Sequence, residues 1–265
     1  MKRLILAAFL ATGLASAAYA DDALKAAIAS KDRAAANVAR DAARHPYETL
    51  TFFGIKPTMT VVELAPGGGW YTEILAPYLR KDGKLIAAGE SPTSPDDNAK
   101  RYAASTGKKL ASNPAMFGKV ERGVFEPPRA YNFAAPNSVD MVVTFRNIHN
   151  WTDAGDDKVK EIFKNIHAVL KPGGVFGVVD HRMPAAKPAN QDSGYLHEAA
   201  VIKMIEAAGF KLVAKSEINA NPKDTADHPK GVWTLPPVLA NGDVDRDKYL
   251  AIGESDRMTL KFIKQ

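Results

Sequence analysis

The chain contains no cysteine among its 265 residues. This absence excludes disulfide bonds, thiolate metal ligands and a cysteine nucleophile. The histidines also lack the short spacing on one element that is typical of a metal site, and no Gly-x-Ser-x-Gly hydrolase motif is present. The sequence therefore predicts no bound metal and gives no sign of a nucleophilic hydrolase.

Long apolar runs and clusters of one charge are absent as well. Beyond residue 20, no segment is long and apolar enough to be a transmembrane helix. The formal net charge is +5, but the basic residues are spread along the chain and form no run. Spread charges of this kind indicate a solvated surface, so we expect neither a nucleic-acid partner nor a membrane partner for the processed chain.

The first twenty residues differ from the rest of the chain. Lys2 and Arg3 precede an apolar stretch over residues 4–14, and Ala18 and Ala20 are the small residues that a signal peptidase reads. This pattern predicts a secretory signal peptide that is cleaved after Ala20, and hence a periplasmic or secreted protein. A buried N-terminal helix is the alternative interpretation.

The remainder divides into a helical extension over residues 21–56, docked loosely, and an α/β domain over residues 57–265. Strand and helix patterns alternate through this domain, with a turn at Pro172-Gly173-Gly174 and a proline-rich insertion at about 219–255 that packs on it. The predicted strands are 60–64, 84–88, 120–125, 139–144, 175–179, 210–215 and 258–263. The alternation predicts a doubly wound, mostly parallel seven-stranded sheet, in which the last two strands form an antiparallel edge pair.

A strand that runs into a glycine turn and then a helix is the most informative segment. The turn holds three consecutive glycines, Gly67 to Gly69, which let a ligand approach the backbone closely. A dinucleotide fingerprint would need glycine at position 72, where Thr72 stands, and the Lys of a phosphate loop is missing. Glu63 disfavours an anionic ligand and suits a cationic or hydroxyl-bearing group. The remaining alternative is a bare strand–helix turn.

The motif Glu63-x-Ala65-x-Gly67-x-Gly69 resembles the first motif of class I S-adenosylmethionine-dependent methyltransferases. Together with residues 145–151 (Phe-Arg-Asn-Ile-His-Asn-Trp) and 170–174 (Leu-Lys-Pro-Gly-Gly), it is similar to a group of exported bacterial predicted methyltransferases. The resemblance extends from about residue 41 to the end, although Ala65 stands where the superfamily usually has glycine. It implies a Rossmann-like methyltransferase fold with S-adenosylmethionine as cofactor.

The resemblance also implies roles for residues around the cofactor. The residues that would surround its amino-acid part are Glu63, Ala65, Gly67, Gly68 and Gly69. Glu90 would face the ribose, and Glu126 would lie on the adenine side. Each of these acids has an alternative interpretation as an exposed loop carboxylate.

Substrate-side candidates follow the fourth and fifth strands. His149 is a candidate catalytic base, and Asn147 would orient the acceptor. Trp151 would exclude water, and Arg182 would pair with an acceptor carboxylate. Alternatively, His149 and Asn147 bond loop backbone, Trp151 packs in the core and Arg182 is a solvated surface residue.

Two functions from different classes fit these observations. The first is methyl transfer from S-adenosylmethionine to a small molecule that the sequence does not identify. The second is a non-catalytic periplasmic binding protein for a nucleoside-like or other small ligand, because S-adenosylmethionine is made in the cytoplasm and a fold does not determine one function.

Overall fold

The computed structural model of the protein describes residues 21–265, so the predicted signal peptide at residues 1–20 lies outside the described part. A nine-stranded sheet forms its centre. Its strands are β1 (Thr60–Leu64), β2 (Lys84–Gly89), β3 (Glu121–Glu126), β4 (Ala130–Asn132), β5 (Val139–Phe145), β6 (Leu170–Met183), β7 (Leu196–His197), β8 (Phe210–Ser216) and β9 (Arg257–Lys264). The spatial order is β4-β3-β2-β1-β5-β6-β9-β8, and β7 pairs with β6 outside this path.

The doubly wound, mostly parallel sheet is confirmed, with seven main strands and two short additions, β4 and β7. Strands β1, β2, β3, β5 and β6 are parallel, whereas β9 is antiparallel to both of its neighbours. The last two strands pair as predicted, but β9 inserts between β6 and β8, so only β8 lies at the edge. The strand order reverses between β1 and β5. In such sheets a ligand binds in the crevice outside the carboxyl ends of the strands at this point.

Helices cover both faces of the sheet. They are α1 (Asp22–Ile28), α2 (Ala35–Val38), α3 (Asp41–Arg44), α4 (Pro46–Phe53), α5 (Thr72–Leu79), α6 (Asp97–Ala111), α7 (Pro114–Phe117), α8 (Ile148–Trp151), α9 (Asp156–Val169), α10 (Glu198–Glu206) and α11 (Arg246–Ile252). In α9 the buried Val159, Ile162, Phe163 and Ile166 follow the helical period and pack against the sheet. Within residues 21–265, no helix combines the length and apolar character that crossing a membrane requires.

The helical extension is more broken and more tightly packed than the sequence predicts. Arg33 is buried, and its guanidinium donates to the Asp41 carboxylate at 2.6 and 2.8 Å and to the Ile28 carbonyl at 2.7 Å. These bonds hold a turn between α1 and α2, in a stretch for which the sequence predicts one helix or two. Leu24 and Phe53 belong to the same buried cluster as residues of β1 and α5. The extension is therefore part of the domain core, and it places α2 and α3 beside the candidate site.

The turn predicted at residues 172–174 is a bulge within β6. Leu170 already pairs with Val139 of β5, and the register then shifts so that Val175 pairs with Met141. The intervening residues loop out of the ladder, and Gly173 takes a φ of 74° there. Glycine adopts this left-handed conformation without a steric cost, which explains its presence in the bulge.

The insertion at 219–255 packs on the domain, as expected. It contains a 3-10 turn at Gly231–Thr234 and helix α11. The buried Asp224 anchors it, because this carboxylate accepts from the Tyr195 hydroxyl at 2.9 Å and lies 2.8 Å from Nε2 of His228. The segment therefore has a defined position over the ends of β6 and β9.

Candidate functional site

Two adjoining cavities open at the carboxyl ends of β1, β2 and β5. The inner lobe has a volume of about 210 Å³. It lies between Glu63 and two arginines, Arg44 of α3 and Arg40, which immediately precedes this helix. The outer lobe has a volume of about 590 Å³ and lies between Glu90 and Trp151. Ala65, Gly67, Gly68 and Asn147 line both lobes. The site thus lies where the strand order reverses, and its volume is in the range of small-ligand pockets.

The glycine turn forms the ridge between the lobes. Ala65 and Gly67 have φ values of 45° and 56°, so the chain turns through the left-handed region here. Gly68 is exposed, and a Cβ built on it would meet no atom within 4 Å. A ligand can therefore reach the backbone at Gly67 and Gly68, as the sequence analysis expects.

Gly69 and Ala65 differ from that expectation in detail. Gly69 is buried at the start of α5 and does not line either lobe. Its φ is 77°, and a Cβ would contact the Lys109 side chain at 3.4 Å, so this glycine shapes the turn rather than touching a ligand. Ala65 has a left-handed φ of 45°, a conformation that glycine adopts freely and that costs alanine about 1 kcal/mol.

Glu63 ends β1 and lines the inner lobe. Its carboxylate accepts a hydrogen bond of 2.6 Å from the Thr72 hydroxyl, and its side chain is almost fully buried. Burial raises the pKa of Glu63 to about 7, although the bonds from Thr72 oppose the shift. Near neutral pH the carboxyl group is therefore poised between its neutral and ionised forms, and a cationic or hydroxyl-bearing ligand would favour ionisation.

Asn147 connects the ends of two neighbouring strands. Its amide nitrogen donates to the Leu64 carbonyl at 3.1 Å and to the Thr144 hydroxyl at 3.0 Å. The side chain therefore fixes the position of the glycine turn relative to β5. It lines both lobes, but its amide nitrogen is engaged in supporting the backbone, which favours the loop-bonding interpretation.

The two acids of the outer lobe have different environments. Glu90 is half-buried, and burial, together with the nearby charge of Glu126, raises the pKa of its carboxyl group. Burial also raises the pKa of Glu126, but hydrogen bonds from Ser94, Ser91 and Arg129 outweigh it and lower the value. Those donors lie 2.6 to 3.0 Å from the carboxylate. Glu126 thus secures its own loop, and Glu90 is the better placed of the two for a ligand.

Aromatic side chains form the wall of the outer lobe. Trp151 is buried, with its ring 5.3 Å from that of Phe125 and 6.3 Å from that of Phe163. It also lines the lobe, so the core interpretation and the water-excluding interpretation both apply to it. Tyr102 of α6 lies at the mouth of the lobe and was not anticipated from the sequence.

His149 lies outside both lobes. Its Nδ1 is 2.8 Å from the carboxylate of Asp180, which also accepts from the backbone N–H groups of Ile148 and His181 at 2.7 Å. The imidazole faces a separate cavity of about 30 Å³, with room for about one or two waters, beneath Trp233 of the insertion. This geometry favours the interpretation that His149 secures the loop after β5, rather than acting as a base in the lobes.

His149, Asp180 and His181 form a cluster that sequence spacing did not reveal. One potential ligand atom from each lies within 4.8 Å of the other two, and all three residues are buried. Burial and the positive charge of nearby groups, Arg146 foremost, lower the pKa of His181 well below its usual value. A dication would add to this positive charge, and the Asp180 oxygens are already engaged, so the geometry does not favour metal binding here.

Arg182 does not take the substrate-binding position that the sequence predicts. Its guanidinium forms short bonds to the carboxylates of Asp256 at 2.8 Å and Glu217 at 2.6 Å, and it lies 3.6 Å from Glu198. It lines neither lobe. Three acidic neighbours saturate its donors, so Arg182 ties β6 to the segments around it.

The arginines of the inner lobe were not predicted from the sequence. Arg40 and Arg44 lie four residues apart, so they project from the same side of the extension towards Glu63. The Arg44 guanidinium lies 4.8 Å from the centre of the Trp70 ring, and the indole N–H of Trp70 donates to the Asn37 carbonyl at 2.8 Å. The spacing was visible in the sequence, but nothing indicated that this face meets the glycine turn.

Replacing His149 with alanine is expected to lower stability by about 1 to 3 kcal/mol, because buried Asp180 loses a donor and a small void opens. Affinity for a ligand of the lobes should fall moderately, since the loop that carries Asn147 loses an anchor. Thermal unfolding and ligand titration measure both effects. His197→Ala, at a less buried position, is the control. Unchanged stability and affinity combined with lost turnover would instead restore His149 as a catalytic base.

No protein-family model and no curated protein matches the chain. Solved structures, however, do match the chain. A SAM-dependent methyltransferase from Aquifex aeolicus aligns with a TM-score of 0.56 at 17 % identity, over 86 % of this chain and 93 % of that one. The [4+2]-cyclase SpnF aligns with a TM-score of 0.55 at 14 % identity, over 84 % and 80 %. The protein therefore has the Rossmann-like fold of class I methyltransferases, and the SpnF likeness shows that this fold is not restricted to one reaction.

Proposed function

We propose that the protein binds S-adenosylmethionine across the two lobes and transfers its methyl group to a small molecule. The observation that carries this proposal is the position of the cavity, which crosses the glycine turn and has an acid beside each half, Glu63 and Glu90. The cofactor combines an amino acid with a nucleoside, so two joined lobes of unequal size suit it. The fold likeness supports the same proposal.

The residues present fit such a ligand. The exposed backbone at Gly68 offers a cradle that a side chain would fill, and Glu63 is a buried acid without a cationic partner among residues 21–265. Glu63 and the glycine turn would hold the amino-acid part. Glu90 would accept from the ribose hydroxyls, and Trp151 and Tyr102 would flank the base in the larger lobe.

The bound cofactor supplies a methyl group on a positively charged sulfur, ready for displacement by an acceptor. What the chain itself must provide is alignment and a dry site. Asn147 fixes the ends of β1 and β5 relative to each other, and the packed rings of Trp151 and Phe125 exclude water from one wall. The acceptor needs no covalent contact with the protein in this reaction.

The pH dependence of cofactor binding tests the proposal. If ionised Glu63 is the binding form, the affinity for S-adenosylhomocysteine should rise about tenfold between pH 6 and pH 8, because the carboxyl group ionises over this range. Its raised pKa means that its contribution to the stability of the free protein is complete below about 4.5 and is lost as the pH rises through about 7. Calorimetric titration of the purified protein measures the affinity.

Glu63→Gln is the matched variant, since it keeps the side-chain volume and removes the ionisation. Its affinity should be lower at pH 8 and nearly independent of pH. No detectable binding of either S-adenosylmethionine or S-adenosylhomocysteine to the parent would refute the proposed function. Binding with the same pH slope in parent and variant would refute the role of Glu63 alone.

A further inference from the structure

Three guanidinium groups converge on a single carboxylate beside the inner lobe, and a fourth lies next to them. Glu254 accepts from Nε of Arg40 at 2.7 Å, Nε of Arg44 at 3.2 Å and Nη1 of Arg257 at 3.0 Å. Arg146 lies next to them, lining both the inner lobe and the small cavity that Glu254 also lines. We call these four arginines the arginine cluster. The carboxylates near the cluster are Glu254 and Asp180, whose charge also acts on Arg146, and two carboxylates do not balance four positive charges. The cluster therefore carries an excess of positive charge.

Part of this cluster has no hydrogen-bond partner among residues 21–265, although both residues concerned line the inner lobe. Nη2 of Arg40 and Nε of Arg146 are buried atoms that make no hydrogen bond within residues 21–265. The φ of 64° also holds Arg146 in a strained left-handed conformation. A buried donor without a partner is costly, and strained residues concentrate where ligands bind.

The neighbouring charges change the pKa values of the arginines. Burial lowers the pKa of Arg44 to about 9, with Glu254 opposing the shift and the charges of Arg146 and Arg40 adding to it. Burial and the charges of Arg257 and Arg40 lower the pKa of Arg146, although the charges of Glu254 and Asp180 oppose the shift. A bound anion would relieve this repulsion. The free protein is thus short of negative charge at this point.

The cofactor proposed above does not supply that charge. Its amino-acid part brings one carboxylate, but it also brings an ammonium group and the positive sulfur. Its net charge is positive, and ionisation of Glu63 upon binding would at most cancel it, so the shortage of negative charge at the cluster would remain. A second, anionic ligand is needed to balance the cluster.

We propose that the methyl acceptor is a small acid whose carboxylate or phosphate group binds Arg40 and Arg146 in the inner lobe. The identification of the anion as the methyl acceptor rests on the proposed function, whereas the anion site itself rests on the arginine cluster alone. The lobe has a volume of about 210 Å³, part of which the amino-acid part of the cofactor would occupy, so the anion must be small. Guanidinium groups recognise both kinds of oxyanion, often through paired bonds.

Titration with inorganic phosphate and with malonate at constant ionic strength tests this inference, first alone and then with saturating S-adenosylhomocysteine. At least one anion should bind in about the millimolar range in both conditions. Arg146→Gln and Arg40→Gln should each weaken it about tenfold or more. Arg246→Gln, an equal charge change on exposed α11, should leave it unchanged. The stronger of the two anions indicates the acid group of the acceptor.

The outcomes separate the two proposals. Anion binding that Arg146→Gln abolishes, in a protein that does not bind S-adenosylhomocysteine, would leave the anion site standing while the proposed function fails. Anion binding that saturating S-adenosylhomocysteine eliminates would overturn the inference, because the cluster would then serve the cofactor carboxylate only. No binding, or equal weakening in Arg246→Gln, would also overturn it. Arg146→Gln should be at least as thermally stable as the parent, since it relieves repulsion, whereas a structural arginine would lose stability.

Discussion

Gly68→Val is expected to weaken the binding of S-adenosylhomocysteine by at least about a hundredfold, which corresponds to about 2.7 kcal/mol. The new side chain would stand in the space that both lobes share, since no atom lies within 4 Å of a Cβ at this position. The same openness means that it meets no protein atom. Stability should therefore change by less than about 1 kcal/mol. Calorimetry and thermal unfolding of the purified variant measure the two quantities separately.

Two further variants make this result interpretable. Gly68→Ala adds one carbon and should weaken binding less than valine does, because the loss should grow with the occupied volume. Ala168→Val adds methyl groups at an exposed position of α9, away from both lobes, and should change neither affinity nor stability. If folded Gly68→Val binds as tightly as the parent, the glycine turn is not the cofactor site.

The sheet was predictable because its strands carry a local signal. The segment from Thr60 to Leu64 is rich in β-branched residues and ends at a glycine turn, and its predicted bounds match those of β1. The short strands β4 and β7 have three and two residues, too few to show a period. The insertion of β9 between β6 and β8 is a matter of tertiary pairing, which no local pattern encodes.

The site was predictable only where its residues follow strand ends. Glu63 and Gly67 are positioned by β1, so the motif that contains them already gives their place at the carboxyl edge. The arginine cluster has a different origin, because Arg44 and Glu254 are 210 residues apart and meet only in the folded chain. Arg182 is the opposite case, a residue for which the sequence predicts a ligand contact that the fold does not provide. Its position at a strand end suggested a ligand, but acidic residues from remote segments occupy its donors.

Glu254→Gln is expected to lower the free energy of unfolding by about 3 kcal/mol. The amide keeps the size of the side chain but removes the carboxylate that pairs with Arg40, Arg44 and Arg257, and loss of one partner from a buried ion pair is costly. Although burial opposes it, the charges of these arginines lower the pKa of Glu254 to about 2. A shift of that size from 4.5 corresponds to about 3 kcal/mol as well.

The pH dependence of unfolding tests whether Glu254 is the source of this stability. Because its folded-state pKa is depressed, its contribution is complete above about 4.5 and is lost as the pH falls towards about 2. The parent should therefore lose this stability in acid, and Glu254→Gln should lack that component. At neutral pH the variant should melt about 6 to 12 °C lower than the parent. Glu121→Gln breaks an exposed pair with Lys84 and should cost less than about 1 kcal/mol.

Phosphate should partly rescue Glu254→Gln. Without the carboxylate, Arg40, Arg44 and Arg257 lose their shared counter-charge, so an oxyanion that binds the inner lobe would bind the variant more tightly than the parent. Tighter binding to the folded state raises its melting temperature by mass action. The increase in melting temperature with phosphate should accordingly be larger for Glu254→Gln than for the parent, and small for Glu121→Gln. Equal increases in all three proteins would mean that phosphate acts as a general stabilising salt and that the arginine cluster does not select an anion.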